Sequence, residues 1–209
     1  MLILWKPRRR RPAIALLAVL AGCAPDERPA PDERPVVAVA VAPVAGIARA
    51  LLPADLLDVV VLVPPGANPA TYEPSISELR QASRALLYLE IGRPSFVFET
   101  TWLEGLLEGS PAQRLRLFDG CPTLPDDPHA WLSTHCLDAA ARVTAQALTR
   151  LLPEHSDQVD ANLRSFRERI TAAQAMAGQS LAEHRGRRFF VLHPAWGYFA
   201  RDHGLEQVE

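Results

Sequence analysis

Two of the six histidines in this 209-residue chain stand next to a proline: His129 in DDPHAWLS (126–133) and His193 in LHPAWGYFARDHGL (192–205). A neighbouring proline stiffens the backbone and fixes the direction of the ring. Neutral imidazole is the commonest protein ligand for Zn²⁺ and other late first-row ions, so the pair points to metal binding. A third turn-rich segment is GANPATYEP (66–74), which contributes Glu73 as a carboxylate donor. Asp127 is suited either to ligate or to hydrogen-bond a ligand imidazole. His135, six residues after His129 at the start of a helix, is a further candidate. His155, His184 and His203 fall in polar helical or turn contexts and are expected to be solvated.

Other chemistries lack their residues. The only lysine is Lys6, which leaves none for a phosphate-binding loop or a Schiff base in the body of the chain. HExxH, GxSxG and glycine-rich phosphate motifs are absent, so no enzyme is expected. A formal charge of −2 gives no basic surface for nucleic acid.

The elements that must carry these segments alternate. Apolar, β-branched runs at 36–42 and 58–63, with others at 85–92 and around Leu115, suit strands buried on both faces. Helices fit 46–53, 75–83 and 96–107. This pattern predicts an α/β fold with a parallel sheet, whose ligands sit at the carboxyl ends of the strands. A helix over 137–152 and a longer one over 156–183 follow. In the longer one Val159, Leu163, Phe166, Ile170, Ala173, Ala177 and Leu181 recur at three- and four-residue steps, predicting one buried stripe. A new strand (189–192), a short helix (194–204) and another strand (205–209) complete the chain. The divisions are a signal peptide at 1–22, a tether at 23–35, a first α/β lobe at 36–153, a connecting helix at 154–185 and the opening of a second lobe at 186–209.

The N-terminus reads as an export signal. Lys6 and Arg8–Arg11 precede the apolar run AIALLAVLA, which is too short to span a bilayer. Leu20-Ala21-Gly22-Cys23 resembles the bacterial lipobox, making Cys23 the expected lipidation site and the membrane the anchor. Removing residues 1–22 takes away five basic groups and leaves 17 basic against 24 acidic residues, a formal charge of −7. The repeated PDERP after Cys23 is a charged, proline-rich tether. Cys121 and Cys136 flank His129 in what would be an oxidising compartment. They are either a disulfide or two unpaired thiols.

Taken together, the lipobox, DPHAWLS and HPAWGYFARDHGL resemble the metal-binding lipoproteins of bacterial ABC importers for zinc and manganese, the ZnuA/TroA-like cluster A-I solute-binding family. The resemblance runs from Val36 to the end of the chain. It implies two lobes with parallel sheets joined by one long helix, a metal held between them, an ABC permease as partner and a monomeric, lipid-anchored protein outside the cytoplasm. It implies His129 as a ligand from the first lobe and His193 as one from the second. Histidine at this second position, where manganese-type members tend to carry a carboxylate, favours Zn²⁺ over Mn²⁺. The sequence departs from the family at Ala70, where a histidine usually stands, and at Glu209, beyond which members continue with more of the second lobe. That lobe is therefore expected to be only partly present. The alternative reading is a metal-poor adhesin or structural surface lipoprotein, or a non-functional truncated paralogue.

Overall fold

The computed structural model describes residues 34–209. The export signal, Cys23 and all but the last two residues of the tether lie outside the described residues. Arg34 ties the start of the described chain to the first lobe, bonding the Ala54 carbonyl at 2.7 Å and pairing with Asp58 at 2.9 Å.

Four short strands form one parallel sheet: β1 (Val36–Val39), β2 (Asp58–Val61), β3 (Leu87–Glu90) and β4 (Gln113–Arg116). Their order is β2-β1-β3-β4. β1 and β3 are buried along their whole length because helices cover both faces of the sheet's centre, which explains their unbroken apolar runs. The edge strands differ: β2 is half-exposed and β4 is mostly polar and exposed. The chain leaves β1 toward β2 on one side, while β3 and β4 build outward on the other. This reversal opens a crevice at the carboxyl ends of the strands.

The connecting helices are α1 (Ala42–Leu51), α2 (Ile76–Ala82) and α3 (Val97–Leu107). The first strand stops at Val39, short of the predicted 42, because Pro43 in the first turn of α1 favours a helix start. α2 begins with a reciprocal cap: the Ser75 hydroxyl accepts the Glu78 N–H, and the Glu78 carboxylate accepts the Ser75 N–H at 2.7 Å. α4 (Thr134–Leu151) is capped by Ser133 and buries Cys136, Ala140, Ala141, Thr144, Ala145 and Leu148 against the sheet and α1.

α5 (Ser156–Leu181) has 26 residues and is about 39 Å long. Only part of its predicted stripe is buried. Val159 and Ile170 are enclosed and Leu163 and Phe166 half-buried, but Ala173 is exposed, as is neighbouring Met176. The periodicity identifies the face correctly, yet α4 is eight residues shorter and cannot cover the whole of it. Polar ties hold the covered half: Asn162 donates to the Leu51 carbonyl at the end of α1, and Asp138 on α4 joins Arg142 and Arg167.

Beyond α5 the predicted strand-helix-strand unit is present as β5 (Arg188–Phe190), α6 (Gly197–His203) and β6 (Glu206–Val208). β5 and β6 pair in parallel, forming a second small sheet. Gly204, at φ 67°, closes α6 in the left-handed conformation that a glycine C-cap supplies. His203 departs from its expected solvation. It is buried, 4.6 Å from the Phe199 ring one helical turn earlier. No helix of the described residues is long and apolar enough to cross a membrane.

Candidate metal centre

The segment that carries His129 begins where β4 ends, and it is pinned from both sides. The Arg93 guanidinium, 5% exposed, donates to the Phe118 carbonyl at 2.7 Å and the Cys121 carbonyl at 3.2 Å. Cys121 and Cys136 form a disulfide with their Cα atoms 5.6 Å apart, tying the loop to the first turn of α4. Leu124 and Asp127 then form an isolated antiparallel bridge, and a single 3₁₀ turn (Ala130–Leu132) leads into the Ser133 cap. His129 is therefore held between two fixed points rather than carried on a free loop.

Its ring is oriented by Asp127. One carboxylate oxygen accepts the His129 backbone N–H at 2.9 Å and the ring Nδ1–H at 2.7 Å. A carboxylate has only lone pairs to offer, so Nδ1 carries the proton and Nε2 presents its own lone pair outward. Trp131 meets the ring edge-on, with centroids 5.1 Å apart. Burial alone would raise the Asp127 carboxyl. The hydrogen bonds from His129, with the N–H of Gly197, outweigh it and hold the group below its ordinary value.

His193 comes from the other lobe. It lies just past β5 in a tight turn closed by the Ala195 N–H on the His193 carbonyl at 2.8 Å. Although 64 residues separate them, His193 Nε2 lies 3.3 Å from His129 Nε2, with the ring planes at 88°. Two nitrogens bound to one tetrahedral zinc at 2.0–2.1 Å stand about 3.3–3.4 Å apart, so the pair has the bite of two adjacent zinc ligands. The donor set fits the ion in chemistry as well as in distance.

The other candidates fall elsewhere. Both Asp127 oxygens are engaged by His129 and Gly197, placing it behind the ring rather than among the free donors. Glu73 and His135 are exposed, and among the described residues no group of three or more His, Cys, Asp or Glu side chains comes together to hold a metal. Ala70 sits in an exposed turn, its N–H held by the Asn68 side chain at 3.0 Å. Tyr198 is fully buried and Trp196 is 42% exposed beside the site.

Two functional-looking residues had no signal in the sequence. Glu99 is buried on α3 and accepts the N–H groups of Ile91 and Gly92 at 2.9 and 3.0 Å. Gly197 lies against Asp127 from 70 residues away. Nothing local marks Gly197 as a partner of Asp127.

Comparison with known proteins identifies the family of the chain. The chain is 26% identical over 196 residues to the high-affinity zinc uptake system protein ZnuA of Yersinia pestis, covering 78% of this chain and 60% of that protein. It is 20% identical over 184 residues to the zinc-binding protein AdcA of Streptococcus pyogenes, covering 72% and 35% respectively. The chain thus spans 60% and 35% of the lengths of these curated relatives, less than two thirds of either. Among solved structures, a crystal structure of ZnuA matches with TM-score 0.77 and 34% identity, over 84% of this chain and 70% of that one. Zn(II)-bound AdcA from Streptococcus pneumoniae shares the fold at TM-score 0.73 and 22% identity, over 84% and 39%. The model of the family ZnuA, zinc-uptake complex component A periplasmic, matches residues 37–209. The chain belongs to the ZnuA family.

Proposed function

We propose that this chain captures Zn²⁺ between its two lobes and delivers it to the permease of an ABC importer. Export is directed by residues 1–22, and Cys23 anchors the protein as a monomer at the extracytoplasmic face of the membrane. His129 and His193 are the two ligands the chain supplies, and Asp127 orients the first of them. The observation that carries this reading is the 3.3 Å separation of two Nε2 atoms on different lobes, one with its lone pair fixed outward. The relatives' descriptions as zinc-uptake and zinc-binding proteins support the choice of ion. Two imidazoles leave coordination positions for further donors, water among them. Because protons compete for the same ring nitrogens, zinc affinity falls on acidification.

A second reading is favoured by one observation: among the described residues the donors stop at two. On that reading the chain is a surface lipoprotein that keeps the fold and holds metal poorly. Equilibrium dialysis of the purified chain against Zn²⁺, Mn²⁺ and Ca²⁺, with bound metal counted by elemental analysis, separates the two. The transport reading requires one zinc per chain, retained against an excess of manganese. Stoichiometry well below one at micromolar zinc supports the metal-poor alternative.

A further inference from the structure

Asp127 works in two directions. One oxygen holds the His129 ring and backbone, as described; the other accepts the backbone N–H of Gly197, at the start of α6 in the second lobe, at 2.9 Å. Gly197 is four positions after His193, so the same carboxylate touches the supports of both imidazoles. Two more bonds cross beside it: the Tyr198 hydroxyl accepts the Leu124 N–H at 3.2 Å, and the Ser133 hydroxyl donates to Asp202 at 2.5 Å. Glycine at 197 leaves room for this approach. A Cβ there would stand 2.6 Å from the Asp127 carboxylate oxygen and 3.1 Å from the Leu124 side chain, although the backbone conformation itself would accept alanine.

We propose that Asp127 and Gly197 form a latch between the lobes that sets the separation of His129 and His193, so that the two nitrogens stand at chelating distance before the ion arrives. Asp127 is thus a positioning residue for both arms of the site, acting through His129 on one side and through the Gly197 backbone on the other. This inference rests on the reading of the two histidines as zinc ligands. It adds that the pair is pre-organised by a contact made by neither of them. A site organised in this way binds tightly without first closing over its ion, because the ordering cost is met within the folded protein.

Two variants separate the latch from the ligands. Gly197→Ala leaves every donor atom and the Asp127–His129 bond chemically intact, and alanine is the better helix former, so its effect comes from the close approach. Asp127→Asn keeps an oxygen for the His129 ring but turns an amide N–H₂ toward the Gly197 N–H, donor against donor. Zinc affinity is measured by chelator competition on the full chain. Long-range ¹H–¹⁵N spectra report the His129 tautomer in the metal-free protein, and thermal melting reports the fold. The latch predicts at least a tenfold loss of zinc affinity in Gly197→Ala while His129 keeps its Nδ1–H tautomer. Asp127→Asn should lose about 10–100-fold, the range typical of groups that orient a ligand. Affinity within twofold of the parent in Gly197→Ala overturns the latch. Should that variant fail to fold, the same result in Asp127→Asn overturns it. His129→Ala and His193→Ala, measured alongside, tell the two ideas apart. Insensitive histidines remove the metal reading itself, whereas sensitive histidines with insensitive latch variants remove only the latch.

Discussion

His129 and His193 meet nitrogen to nitrogen across 3.3 Å, from loops that follow different sheets in different lobes. At this distance the His193 N–H can donate to the His129 nitrogen, a contact that a cation replaces by displacing the proton. The first ring has its proton committed to Asp127 on the far side, so the lone pair at the meeting point is available to a cation. The fold's contribution is to fix both loops at their roots, one by the disulfide and Arg93, the other by the β5–β6 pairing and α6.

The disulfide should stabilise the first lobe measurably. Cys121 and Cys136 are separated by 15 positions, and closing a loop of that size contributes on the order of 3 kcal/mol in the chain-entropy account. Cys121→Ser/Cys136→Ser together should lower the melting temperature by several degrees, and neither cysteine should react with thiol reagents in the denatured, unreduced protein. Two reactive thiols from these positions would show that the bridge does not form in solution.

Arg93 is expected to be as important to the same loop. Its guanidinium is buried and supplies the hydrogen-bond donors for the Phe118 and Cys121 carbonyls. Arg93→Met should leave both without those bonds and cost roughly 2–4 kcal/mol in denaturant unfolding, since each unsatisfied buried group costs about 1–3 kcal/mol. A loss below about 0.5 kcal/mol would mean the loop holds itself.

Glu99 predicts a specific pH dependence of stability. Burial pushes its carboxyl up to about 7, although the N–H groups of Ile91 and Gly92 pull the other way. The folded protein therefore keeps a proton that the unfolded chain releases near the ordinary glutamate value. Stability from this group is fully present at acid pH and declines as pH rises toward 7, by on the order of 3 kcal/mol at most. Glu99→Gln, neutral throughout, should flatten the decline between about pH 4.5 and pH 7, at the expense of one backbone hydrogen bond. Parallel curves for the two proteins across this interval would contradict the assignment.

Much of the fold could be read from residue types. The β-branched runs at Val36 and Val59 announce strands, but only the first is buried along its length, because β2 lies at the sheet edge, which the residue types do not reveal. The proline-flanked histidines announce rigid donors after strand ends. What could not be read depends on how far neighbouring elements extend and on contacts distant in sequence. The stripe on α5 continues through Ala173 with nothing in α4 long enough to cover it. His203 looks polar in sequence yet packs on Phe199, because a short helix seated on the first lobe has few faces left for solvent. Asp127 was visible as a candidate, but its second partner, Gly197, is a backbone N–H and leaves no trace in side-chain chemistry.

The ligand pair is the centre of the account, and zinc affinity in single-histidine variants tests it most directly. Chelator-competition titration of the full chain, with His129→Ala, His193→Ala and the exposed control His135→Ala, should give losses of at least 100-fold for the first two and no more than a twofold change for the third. Zinc affinity unchanged in both His129→Ala and His193→Ala would contradict the account.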